Sequence, residues 1–207
     1  MEIAEFFSKG GAVMWLLLLT SVAVAAIGIE RLVFYNYAND NNEIFLEALN
    51  DNLKNQPVNK VAEFCHKEKN LLGEFAFAGI VAAVQGENIE LALETAYSDA
   101  AMKLRARLNY LSMIVTLSPL LGLLGTIFGM IESFNIFNLQ SGQPMAITGG
   151  IGEALIATAT GLCVAIFALI VHTYFAQKLD EMLTKLEKTE NIIIARLSGK
   201  GNLNETP

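Results

Sequence analysis

Charge is what this sequence has least of. Only 17% of its 207 residues are Asp, Glu, Lys or Arg, against about 25% in a typical soluble domain, and the deficit is concentrated. Residues 10–29, 108–131 and 154–177 contain none of these four types, and His172 is the only imidazole within the three runs. Each run is about 20 residues or longer, which at roughly 1.5 Å per residue matches a bilayer core of about 30 Å. A soluble enzyme is excluded on these grounds, and an all-α integral membrane protein with three transmembrane helices is expected. Basic surplus is also missing. A net charge of -7 argues against nucleic acid as a partner, because phosphate binding needs a concentrated basic surface. The two cysteines, Cys65 in a polar segment and Cys163 inside an apolar run, define neither a disulfide framework nor a zinc site and read as reduced structural thiols. No GxxxxGK[ST] loop occurs, which removes an ATP-driven motor within this chain. No catalytic residue, cofactor or metal is expected, and the protein is not read as an enzyme.

What is present orients those spans. Lys and Arg number one before the first span, eight from Arg31 to Arg107, none from Glu132 to Glu153, and five after the third span. The positive-inside rule then puts the first cytoplasmic segment at about 31–107 and the C-terminus inside, with the N-terminus and the 132–153 loop in the periplasm. The first run lacks a positive n-region and is long for a signal peptide, so it reads as a retained span. Spans are expected at about 10–30, 109–131 and 146–174. Glu30, Arg31 and Arg107 are expected to be ordinary interfacial anchors.

The cytoplasmic segment is patterned for helices. Ile44, Phe45, Ala48, Leu49 and Leu53 recur at helical spacing, Pro57 interrupts, and Val61, Ala62, Phe64 and Cys65 resume the pattern. Leu71–Val84 is apolar but too short to span and contains Glu74, so it predicts a buried helix. After Gly86, the stripe Ile89, Leu93, Ala96, Tyr97, Ala100, Leu104, Leu108 runs into span two with no Pro or Gly between. One helix from about Asn88 to Ile131 is therefore expected, of order 65 Å long. Span three continues likewise through Phe175, Leu179, Met182, Leu186, Ile193 and Leu197, giving a C-terminal helix at about 175–198. Two spans thus extend into a cytoplasmic helical bundle, and the tail beyond Gly199 is expected to be disordered.

Spans two and three are built for helix contact. Ser118, Gly122 and Thr126 recur at four, as do Gly125 and Gly129, and span three carries Gly149, Gly150, Gly152, Ala154, Ala157, Thr158, Thr160 and Gly161. Small residues at this spacing let helix backbones approach closely. The start of span three is ambiguous. If its helix begins near Met145, after the turn signal Ser141-Gly142-Gln143-Pro144, then Glu153 lies about 12 Å inside, where a carboxylate needs water, a partner or a proton and marks an ion path. If the helix begins later, Glu153 only caps its outer end. Thr160, at i+7, is nearly in line with Glu153, and Thr158 is about 140° away. The hydroxyls of Thr126, Thr158 and Thr160 line a pore or bond back to their own helices. A rival reading is a scaffold whose small-residue spans serve only oligomerisation.

The run from Ser118 through Pro119, Gly122, Gly125 and Thr126 to Gly129, SPLLGLLGTIFG, resembles the span-two signature of the MotA/TolQ/ExbB proton-channel family. The run Gly150 to Leu162, GIGEALIATATGL, is similar to that family's span-three motif, and three spans with an acid in the third resemble the ExbB/TolQ branch. The resemblance extends over residues 1–207 as a single domain. It implies a proton-channel and motor subunit, used for biopolymer or protein transport, in the bacterial inner membrane. It further implies a homopentamer around two copies of a small single-span partner, ExbD- or TolR-like, with an intramembrane aspartate, that uses the proton motive force to drive envelope work. By motif position Glu153 is the conserved acid, Thr126 and Thr158 are pore-facing threonines, and Pro119, Gly122, Gly125 and Gly129 are packing residues. Two departures stand out: Ala165-Ile166-Phe167-Ala168 lacks a proline that many relatives carry, and Thr160 occupies a position often aliphatic.

Overall fold

The structure is a computed structural model that describes the backbone of residues 11–38, 42–139 and 144–201, with side chains over 11–38, 42–135 and 148–197. Seven helices occupy the described residues: α1 (Gly11–Ala38), α2 (Asn42–Asn55), α3 (Val58–Lys67), α4 (Leu71–Gln85), α5 (Ile89–Arg105), α6 (Leu108–Leu139) and α7 (Pro144–Gly201). Three helical stretches are long and apolar enough to cross a membrane. The turn signal at 141–143 and the tail from 202 lie outside the described residues. Gly199–Gly201 are helical, so the C-terminal helix continues past the end expected at about 198. The chain divides into two compact units, Met1–Glu30 with Arg107–Phe175 and Arg31–Ala106 with Ala176–Pro207.

In the second unit, α2 packs against α3, α3 against α4 and α4 against α5. Leu49, Leu53, Val61, Leu72, Phe75, Ile80, Leu93 and Leu104 are all buried, as are Met182 and Leu186 from the C-terminal part of α7. The rings of Phe45 and Phe64 stack at 5.7 Å. Sequence chemistry fixes the helix ends. The side-chain Oδ1 of Asn70 accepts from Gly73 N–H at 2.7 Å and that of Asn88 from Leu91 N–H at 3.1 Å, each satisfying an otherwise orphaned first-turn donor. Gly86 closes α4 in the left-handed conformation, φ 74°, which only glycine adopts without cost. Leu71–Gln85 is thus the buried helix its length and Glu74 predict.

The continuous helix from 88 to 131 is not formed. α5 ends at Arg105, Ala106 is extended (φ -51°, ψ 137°), and Arg107 is left-handed at φ 66°, the only non-glycine residue with positive φ among the described residues. Such a backbone costs a non-glycine residue about 1–2 kcal/mol. Nothing local demands it, because Lys103 to Leu108 are all good helix formers. Two tertiary hydrogen bonds end on the carbonyls just before the break. Arg31 is only 4% exposed, lies over the Phe34 ring at 4.6 Å and donates to the Lys103 carbonyl at 3.2 Å. The Tyr35 hydroxyl donates to the Leu104 carbonyl at 3.0 Å. An unbroken helix would give these two acceptors to the N–H groups of Arg107 and Leu108. Arg31 is therefore buried and bonds a carbonyl at the end of α5.

In the first unit, the membrane-spanning parts of α1, α6 and α7 meet through Val13, Met14 and Leu17 of α1 and Ala157 of α7, with Leu121 and Ile156 beside them. Farther along, Gly28 of α1 faces Val171 of α7. Glu30 and Arg107 form an ion pair at 3.0 Å; both are largely accessible, so it contributes little. Trp15, Leu19, Leu120, Leu123, Phe128, Leu155, Ile166 and Ile170 are among the many large apolar residues left exposed. In water so much exposed apolar surface would drive association or aggregation, whereas lipid or further subunits accept it.

Candidate functional site: the span-two and span-three seam

The site is assembled by the close approach of α6 and α7. Small residues run down one helix as they run up the other, pairing Ser133 with Gly150, Gly129 with Ala154, Gly125 with Ala157, Gly122 with Thr158, and Ser118 with Gly161. A Cβ on Gly125 would stand 2.7 Å from Ala157 Cβ, one on Gly122 3.0 Å from Thr158 Cα, and one on Gly129 3.1 Å from Ala154 Cβ. All are closer than ordinary contact, so the glycines are what allow the helices to touch. Gly122, Gly125 and Gly129 thus line the contact between α6 and α7. Pro119 sits inside α6, where it removes the donor for the Val115 carbonyl. Beside it Ser118 is fully buried, and its hydroxyl has no hydrogen-bond partner among the described residues.

The three threonines behave differently from one another. Thr126 Oγ1 donates to its own helix at the Leu123 carbonyl, 2.6 Å, and Thr160 Oγ1 to the Ile156 carbonyl, 2.8 Å. Thr158 Oγ1 instead crosses the seam and donates to the Gly122 carbonyl at 3.2 Å. This interhelical bond was not visible in the sequence. The signal that could have found it is the antiparallel register of the small residues, which sets Thr158 against Gly122.

Glu153 stands at the edge of this seam. Because α7 starts at Pro144, a residue favoured at the first helical position, Glu153 falls in the third turn, about 13 Å along the axis. No acid lies in the first turn, and Glu153 is too deep to act as an N-terminal cap. It precedes Ala154, a seam residue, and so points roughly 100° round the helix from it. It is half-buried and has no hydrogen-bond or ion-pair partner among the described residues. The next charged residue along α7 is Lys178. Through Ala165–Ala168, where many relatives carry proline, α7 runs uninterrupted. Among the described residues no group of three or more His, Cys, Asp or Glu side chains could hold a metal ion.

Three helices long and apolar enough to cross a membrane, with a close glycine seam between the second and third, define a multi-pass membrane protein. Comparison with known proteins narrows this. Residues 61–188 match the MotA/TolQ/ExbB proton channel family. The chain is 35% identical over 180 residues to the biopolymer transport protein ExbB-like 1 of Synechocystis, covering 82% of this chain and 69% of that one. It is 27% identical over 211 residues to the biopolymer transport protein ExbB of Xanthomonas campestris, covering 89% and 82%. To the Tol-Pal system protein TolQ of Pseudomonas aeruginosa it is 39% identical over 98 residues, 47% of this chain and 42% of that one. The chain belongs to the MotA/TolQ/ExbB proton channel family, in its ExbB/TolQ-like branch.

Proposed function

We propose that this chain is the proton-conducting and motor subunit of an inner-membrane complex that turns the proton motive force into work in the periplasm or envelope. In this reading five copies surround two copies of a small single-span ExbD- or TolR-like protein whose transmembrane helix bears an aspartate. The N-terminus is periplasmic and the C-terminus cytoplasmic. The observation that carries the proposal is Glu153, without a partner among the described residues, in the third turn of a helix with no other Asp, Glu, Lys or Arg before Lys178.

A carboxylate at that depth costs several kcal/mol unless it meets water, a proton or a counter-group. Taking up a proton from the periplasmic side neutralises it, and releasing the proton inward restores the charge, so occupancy of Glu153 changes which partner surface it tolerates. Each proton moving down a 100 mV potential yields about 2.3 kcal/mol, comparable to the cost of remaking one interhelical contact set. Thr126, Thr158 and Thr160 supply hydroxyls near the path. Their bonds to helix carbonyls leave the oxygen lone pairs open to accept from water.

The test is Glu153→Ala and Glu153→Gln in the complex co-purified with its single-span partner and reconstituted into vesicles with an internal pH dye. Partner-dependent proton uptake is expected to vanish in both variants while the assembly keeps its mass. Full uptake in either variant refutes the role of Glu153 and favours a scaffold.

A further inference from the structure

We propose that Arg31 and Tyr35 form a latch that selects the broken form of segment 89–139 over a single uninterrupted helix. Releasing the Lys103 and Leu104 carbonyls would then join α5 and α6. Three observations carry this. The residues at the break contain neither glycine nor proline, yet Arg107 is left-handed, so the local sequence prefers the continuous form and an outside interaction opposes it. The two carbonyls that a continuous helix would use are the two that the latch occupies, at 3.2 and 3.0 Å. The latch is also prepared in advance: Arg31 and Tyr35 are four apart on one face of α1, both nearly inaccessible, and the Arg31 guanidinium is steadied over the Phe34 ring.

In the broken form α1 side chains serve these acceptors, and in a continuous helix the backbone N–H groups of Arg107 and Leu108 would serve them, so neither form leaves a carbonyl unsatisfied. The alternative is a folded chain with an ordinary helix at 104–109, so loss of the latch should change the backbone there and leave both flanking helices intact.

Hydrogen exchange of the full chain in nanodiscs, read by mass spectrometry over 100–112, tests this. In the broken form the N–H groups of Arg107, Leu108 and Asn109 fall before or within the first turn of α6, where a helix offers them no acceptor. In the continuous form they donate to Lys103, Leu104 and Arg105. In Arg31→Met/Tyr35→Phe, exchange of these three amides is expected to slow by about tenfold, which corresponds to the continuous form reaching roughly nine molecules in ten. Adding Arg107→Gly, which removes the left-handed penalty and disfavours a helix interior, is expected to restore fast exchange. Tyr35→Phe/Arg107→Val keeps the buried Arg31 and penalises the break with a β-branched residue; it should also slow the three amides. The exposed pair with Glu30 is lost in both Arg107 variants, so opposite changes in their exchange cannot come from that pair. Unchanged or faster exchange at 107–109 in a variant whose flanking helices remain protected overturns the proposal. Global loss of protection in both latch variants overturns it as well, because a latch between two folded forms cannot be needed for folding.

Discussion

Substituting Gly161 by alanine pits two opposing effects against each other, and the geometry decides the sign. Alanine is the better helix former by about 0.8–1.0 kcal/mol, so at a helix position with open space the change should stabilise. At Gly161 the space is absent: the new Cβ would stand 2.6 Å from the Ser118 carbonyl oxygen, 3.0 Å from Gly122 Cα and 3.1 Å from Gly122 N. All three are backbone atoms and cannot rotate away. Reaching an ordinary 3.4 Å contact from 2.6 Å requires α6 and α7 to separate by about 0.8 Å. Overpacking of this kind costs about 1–3 kcal/mol, and the same separation stretches the Thr158–Gly122 bond, already 3.2 Å long, for which interhelical bonds average about 0.6 kcal/mol. After the propensity gain, the net expectation is a loss of about 2 kcal/mol.

Gly149 and Gly152 provide the control, since a Cβ at either meets nothing within 4 Å, and Gly149→Ala should gain up to about 1 kcal/mol within one chain. Reversible unfolding in mixed micelles, followed by circular dichroism on titration with SDS, measures the difference. The order of stability should be Gly149→Ala, wild type, Gly129→Ala, Gly125→Ala, Gly161→Ala, following the distances of nothing within 4 Å, 3.1 Å, 2.7 Å and 2.6 Å. A Gly161→Ala chain as stable as wild type would show that the seam is not closely packed, and the assignment of the glycines to helix contact would fail with it.

Two further outcomes follow from the side chains. Thr158→Val removes the bond across the seam and should lower stability in the same titration by about 0.6 kcal/mol and at most about 1.7, whereas Thr160→Val removes only a bond within its own helix turn and should stay within a few tenths of a kcal/mol; equal effects would contradict the placement of Thr158. Burial pushes the Cys65 thiol from its ordinary 9.0 up to about 12, with Glu68 adding to the rise. A raised folded value favours the protonated form, so this contribution is fully present below pH 9 and is lost as pH climbs toward 12. Iodoacetamide at pH 8 should therefore leave Cys65 unmodified in the folded chain and modify it after denaturation, as read by peptide mass; modification of the folded chain at the unfolded rate would refute its burial.

The contrast between what the sequence made legible and what it hid follows the range of the interactions. Charge-free runs, the apolar stripes of α2 to α5 and the turn at Gly86 act within a few residues, so their consequences could be read directly. Seam glycines were recognisable by spacing, because close approach needs small residues every fourth position, but their partners depend on antiparallel register, a property of two helices together. Thr158 shows the limit: on its own helix it resembles Thr160, and only the presence of Gly122 opposite gives it a different role. Glu153 was ambiguous for a smaller reason, the unknown first residue of one helix, and Pro144 at that position removes the ambiguity. Arg107 marks the opposite extreme. Every local signal there favours helix, and the break is accompanied by bonds from Arg31 and Tyr35, about 70 residues earlier, to the carbonyls that the backbone would otherwise use. Helix propensities differ by less than about 1 kcal/mol per residue, while a charge-assisted hydrogen bond plus a neutral one contribute about 2–4 kcal/mol together. A buried arginine and a buried tyrosine one turn apart can therefore override a run of good helix formers, and residues of those types beside a break without glycine or proline are the feature to look for elsewhere.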